Sequence, residues 1–332
     1  MTLSTKLDSV WLYGQLQETN FKLLLKLKGE VFLTFFFYLF PMILSKNYIV
    51  SSKIIGLIFA LSILLFQVED SYSTLIFVLI MLTIGIPHGS VDHLIAFINP
   101  KSRRFKSKLS FFTIYLSLIS VNILLWVFSP YLGLLTFLVV SCYHFGEAQV
   151  IGFNDTKNKL LNFVLGANIL LSLFLNNIFE LQIILNDFTL FSSIDLTPYD
   201  KTFFLLISVT ILMISVVQFK INKKVPLYAE MSILYLIFYH TDILTSFSIY
   251  FGFSHSLPML IMEYKEMKEK NFFSFYLKTL PFTLLAVVFG VVLYFFNNDL
   301  LTANNLILFT FIVISSLTLP HVFIMKDFVE NK

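Results

Sequence analysis

Six histidines are the residues best suited to chemistry in this chain: His88, His93, His144, His240, His255 and His321. None lies in a long polar loop. Imidazole is the commonest metal ligand among side chains. Ionisable groups inside membrane segments are costly, rare and usually functional. The densest case is "IGIPHGSVDH", residues 84–93, where two histidines, an aspartate, a proline and two glycines end an apolar run. An all-imidazole set without thiolate suits iron, copper or zinc. Glu147, three residues after His144, offers the carboxylate base that hydrolytic zinc sites commonly use. Spacing alone leaves the metal open.

The elements that must position these histidines are membrane helices. Of 332 residues, 57% are hydrophobic and 13% charged, against about 25% charged in soluble domains. Apolar runs at roughly 31–45, 53–67, 72–98, 110–128, 131–150, 160–178, 203–219, 226–240, 243–262, 280–296 and 304–325 approach or exceed the roughly 17–25 residues that cross a bilayer. The fold class expected is all-α: a polytopic transmembrane bundle of about ten helices, multi-pass in the cell (inner) membrane, with the lipid bilayer as partner. Forty Phe and fifteen Tyr make it unusually aromatic. A net charge of +3 gives no sign of nucleic acid. Cys142 is the single cysteine, which excludes an internal disulfide and a cysteine-based metal site. The first thirty residues lack a short apolar core with a small-residue cleavage site, so no cleaved signal peptide is expected.

Orientation follows from Lys and Arg in short loops. "NPKSRRFKSK" carries five basic residues and no acid, which makes it cytoplasmic. Alternating from there, the segments holding His88, His144, His255 and His321 all run from outside to inside. These histidines precede Lys101, Lys157, Lys265 and Lys326 by 13, 13, 10 and 5 residues. At about 1.5 Å per residue all four lie in the inner half, spread over roughly 12 Å, and helix tilt can remove much of that spread. Four imidazoles from four helices can therefore meet at one site. His240 falls at the outer end of its segment. His93 is five residues past His88, about 140° round the helix. Both read as ordinary buried or interfacial histidines. Asp92, four after His88, shares its face and can orient an imidazole from behind. Gly85, Gly89 and Gly146 read as close helix packing, and Pro87, Pro258 and Pro320 as kinks.

Four stretches together resemble a known family. "GIPHGSVDH" (85–93), "YHFGEA" (143–148), "YFGFSHS" (250–256) and "TLPHVFIMKDF" (318–328) stand in register. They are similar to the Brp/Blh family of integral-membrane β-carotene 15,15′-dioxygenases over about 70–330. The resemblance implies a catalytic membrane domain over 71–332, behind an N-terminal extension over 1–70 with one or two hydrophobic segments. It implies cleavage of the central double bond of β-carotene with O2 to two retinals, at a ferrous iron, Fe(2+), held by histidines. Retinal as product points to a retinal-binding rhodopsin as acceptor. Family ligands match His88, His144 and His255. A further family ligand, four residues after His255, falls here on Met259. A thioether is soft and matches ferrous iron poorly, so His321 is expected to complete the set, ahead of a three-histidine site. The alternative is a non-catalytic carotenoid- or retinal-binding protein, or an assembly factor for a retinal protein. If the enzyme reading holds, a long cavity lined by Phe, Tyr, Leu and Ile passes beside the histidines.

Overall fold

In the computed structural model the described residues are 47–66, 72–98, 105, 107–151, 158–184, 200–219, 224–296 and 303–330. Two compact units divide the chain, Met1–Ser51 and Ser52–Lys332, and nearly all described residues belong to the second. The expected segment 31–45 lies outside the described residues, as does most of the expected extension over 1–70.

The described residues form helices and no strand. In chain order they are α1 (Tyr48–Leu65), α2 (Ser73–Ile95), α3 (Lys108–Phe128), α4 (Pro130–Ile151), α5 (Lys159–Asn176) and the short α6 (Ile178–Ile184). After these come α7 (Lys201–Gln218), α8 (Lys224–His240), α9 (243–267), α10 (Phe272–Phe296) and α11 (Ala303–Glu330). Every apolar run expected from 53 onward is a helix. Seven of these helices are long and apolar enough to cross a membrane. The chain is a polytopic membrane protein.

Local chemistry sets the helix starts. Side chains of Ser107, Asn158, Asp200 and Asp242 accept hydrogen bonds from first-turn amides of α3, α5, α7 and α9, the usual remedy for the unpaired amides of a helix start. At α9 a second carboxylate helps: Glu180 Oε2 accepts from the Ile243 amide at 2.6 Å.

Lipid offers no hydrophobic drive between helices, so packing rests on small residues and interhelical hydrogen bonds. The α4/α5 crossing shows the first. A Cβ on Gly146 would collide with the Asn162 carbonyl, and one on Gly166 with the Cys142 carbonyl. The second ties α3 to α11: Ser315 and Ser316 hydroxyls donate to Asn122 Oδ1 at 2.9 and 3.0 Å, and Trp126 Nε1 donates to Ser315 Oγ at 3.0 Å. Ser90 and Thr283 hydroxyls, 3.0 Å apart, join α2 to α10.

Two helices are not regular. In α2 a π-helical turn, Met81–Gly85, leads into Pro87 and His88, and the helix breaks at Ser90 and Val91 before Asp92. In α9 a longer π-helix, Ser248–Ser256, contains His255. The two irregular stretches pack on each other. A Cβ on Gly85 would sit 2.8 Å from a Phe251 ring carbon, and one on Gly252 would sit 2.5 Å from Ile80 Cγ2. π-helical turns inside α-helices are frequent at functional sites.

Because Gly146 abuts backbone, Gly146→Val should cost at least about 3 kcal/mol, the upper end for overpacking. Gly89 faces open space apart from His321 Nδ1 at 3.7 Å, so Gly89→Ala should leave stability nearly unchanged. Thermal melts in one detergent compare the two; equal melting temperatures would contradict the packing assignment.

Candidate metal centre

Four helices deliver four imidazoles to one place. His88 comes from α2, His144 from α4, His255 from α9 and His321 from α11, and all are buried. Ring centroids lie 6.5 Å apart for His88 and His144, 5.5 Å for His88 and His255, and 4.5 Å for His88 and His321. The spacing is 4.8 Å for His144 and His255, and 5.0 Å for His144 and His321. One ring nitrogen from each of His88, His144 and His321 falls within 4.8 Å of the others.

Carboxylates stand behind two of these rings. His321 Nδ1 is 2.8 Å from Asp92 Oδ1, whose other oxygen accepts from the Tyr115 hydroxyl at 2.8 Å. His88 Nδ1 is 2.8 Å from Glu263 Oε1. Asp92 is therefore set on His321, not on His88. The regular i to i+4 relation fails because the helix breaks at Ser90 and Val91. Glu263 escapes sequence reading. It comes directly after the apolar run and precedes Lys265, so it reads as the first residue of a charged loop, yet it is fully buried.

This arrangement constrains protons. The carboxylate bonded to His321 Nδ1 favours the tautomer with the proton there, which leaves a lone pair on its Nε2. The Nε2 atoms of His88 and His321 are 3.0 Å apart. Two lone pairs at that distance repel unless a proton or a metal cation lies between or beside them. Among the described residues, Nδ1 of His88, both nitrogens of His144, Nδ1 of His255 and both oxygens of Glu263 are buried without a hydrogen-bond partner, so the close His88–Glu263 contact lacks hydrogen-bond alignment, at a cost of roughly 1–3 kcal/mol for each unmet group. The nitrogens of His88, His144 and His321 are grouped closely enough to hold a metal ion, with carboxylates beside two of the rings; His255 adjoins this trio.

The other candidates stand apart from the four, though His93 shares the wall of the adjoining cavity. His240 is exposed and packs on Tyr239. His93 is half-buried, with Nδ1 3.2 Å from the Ser90 carbonyl and its ring 4.3 Å from that of Phe282. Glu147 is buried, 3.4 Å from the Tyr143 hydroxyl. Met259 is buried, and neither it nor Glu147 is among the described residues lining the adjoining cavity.

That cavity has a volume of about 410 Å³. The four histidines and His93 lie in its wall, and most of the remainder is apolar, with Phe111, Phe145, Phe251, Phe289 and Leu317 among the lining. Such a chamber holds a ligand by apolar contact and offers few polar groups other than the imidazoles.

A family model described as beta-carotene 15,15′-dioxygenase matches residues 79–328. The chain belongs to this family. The matched residues include all four clustered histidines and both carboxylates. A relative named beta-carotene 15,15′-dioxygenase, from uncultured marine bacterium 66A03, is 27% identical over 257 residues, which span 74% of this chain and 90% of the relative. No solved structure matches.

Glu263→Gln and Asp92→Asn should each weaken metal retention by about 10–100-fold, the usual loss when a ligand's anchor is removed. Metal content after dialysis against graded chelator measures this; unchanged retention in both would show that the carboxylates do not hold the ligands.

Proposed function

We propose that this chain cleaves the central 15,15′ double bond of β-carotene with O2 to give two retinals, at an iron held by His88, His144, His255 and His321. The observation that carries the reading is the convergence of four buried imidazoles, several of their nitrogens unpartnered, on the wall of an apolar cavity. The family description supports the reaction and the substrate. Iron bound there would supply the activation of O2.

The residues do the rest. Asp92 favours the His321 tautomer with its proton on Nδ1, Glu263 stands beside His88 Nδ1, and the two Nε2 atoms face each other. Tyr115 donates to Asp92 and so keeps that carboxylate turned toward His321. The aromatic and aliphatic lining positions a polyene by shape and excludes water, which protects reactive species from side reactions. Phe251 stacks near His255, ring centroids 5.5 Å apart, and Phe145 lies 4.7 Å from it; together they hold that ring against the cavity wall. His321 stands where a metal lacking a ligand at Met259 needs one. The alternative that Met259 favours is a member that binds a carotenoid or retinal without cleaving it.

Expression in β-carotene-producing cells tests this. The wild-type chain should bleach the orange colour and form retinal. Alanine at His88, His144 or His255 should abolish retinal while the protein still inserts, and His240→Ala should be nearly silent. His321→Ala should lose iron while Met259→Leu keeps it. Carotenoid retained with no retinal formed would establish the binding protein instead.

A further inference from the structure

We propose that the cavity opens sideways into the lipid through a slot between α3 and α10, with Leu116 and Leu285 as its mouth, and that an apolar polyene enters there. This deepens the carotenoid-cleaving reading and rests on it for the identity of the substrate.

The wall of the cavity is uneven in thickness. On one side α11 contributes Val313, Ile314 and Ser316, which are 7%, 5% and 1% exposed. Opposite in character are Leu116 on α3 and Leu285 on α10, which also line the cavity but are 56% and 59% exposed. A residue that lines a cavity and is itself more than half exposed marks a point where the wall is thinly covered. These two helices are also the least covered of the spanning helices, each with only 17% of its apolar window buried. Outside them lies hydrocarbon.

Sequence spacing shows two facing stripes. Leu116, Ile119 and Ile123 line the cavity at helical spacing on α3, and Phe282, Leu285 and Phe289 do so on α10. Such spacing puts each trio on one face of its helix. One end of the slot is closed by Phe112 and Phe282, whose rings stack at 6.1 Å across the two helices. The mouth is level with the histidines. Leu116 adjoins Tyr115, which bonds to Asp92. Leu285 is two residues past Thr283, which bonds to Ser90. A thin apolar rod therefore meets the imidazole layer directly on entering, without crossing water or a polar loop.

The test uses the full chain in phosphatidylcholine nanodiscs, supplied with β-carotene from donor liposomes. Under nitrogen, where no cleavage occurs, the rate of uptake is followed by the carotenoid's visible absorption. Leu116→Trp and Leu285→Trp, which fill the mouth, should slow uptake by about tenfold or more, a typical range for altered access. Leu116→Ala with Leu285→Ala should keep or raise the wild-type rate. Leu124→Trp and Leu284→Trp, exposed on the same helices but not among the described lining residues, should match wild type. All variants should melt alike and hold equal metal. Wild-type uptake in both mouth-filled variants would overturn the slot, as would equal slowing in the two controls. Admitting air then separates the two ideas. Slowed uptake in the mouth variants, with no retinal from the wild type, would leave the slot standing and sink the dioxygenase reading. Retinal at wild-type rates from the mouth variants at limiting β-carotene would do the opposite.

Discussion

Two buried pairings of carboxylate with imidazole organise this molecule. Asp92 and Glu263 lie among apolar helices with almost no exposure, each 2.8 Å from an imidazole nitrogen. Removing one partner leaves a buried polar group unmet, at about 1–3 kcal/mol. The pairs also give direction. With Nδ1 of His321 bonded to Asp92, its Nε2 faces Nε2 of His88, which brings α2 and α11 together there, with Glu263 of α9 beside His88. His144 on α4 then closes the group. The geometry of the centre and the packing of the inner helices are thus one constraint.

That constraint explains the division of labour among the helices. The inner ones need contacts that lipid cannot supply, and they use close glycine crossings and hydroxyl or amide hydrogen bonds. Gly146 against Asn162, Gly85 against Phe251 and Asn122 against Ser315 and Ser316 are contacts of this kind. The outer helices α3 and α10 join in through Asn122, Trp126 and Thr283, yet remain largely lipid-facing. Their inner faces still reach the cavity, so a thin wall separates the centre from hydrocarbon on that side.

Much of this is legible in the residues alone. Apolar run lengths place the helices from 53 onward because crossing a bilayer demands a minimum length. Charged loops fix the relative depth of His88, His144, His255 and His321, and those four are the ones that converge. Sequence reading fails where backbone geometry departs from the ideal. Regular periodicity sets Asp92 behind His88, and the break at Ser90 and Val91 removes that relation. Glu263 is hidden by its position between an apolar run and a basic loop, where burial depends on tertiary packing. The π-helices leave no sign, since nothing in "MLTIG" or "SIYFGFSHS" distinguishes them from α-helix by composition.

The π-helix of α9 bears on how this chain can vary over time. A π turn closes its hydrogen bonds one residue further along than an α turn, so a stretch of fixed span stores an additional residue. Deleting one residue between Phe247 and Leu257 would let the stretch relax toward α-helix and leave the helix beyond it nearly in phase, with Glu263 still beside His88. A deletion in the regular α-helical turns of α9 would instead rotate everything beyond it by about 100°. His255 stands inside the π stretch, so its aim is what such a relaxation changes. This segment therefore absorbs a one-residue change in length that its α-helical flanks do not.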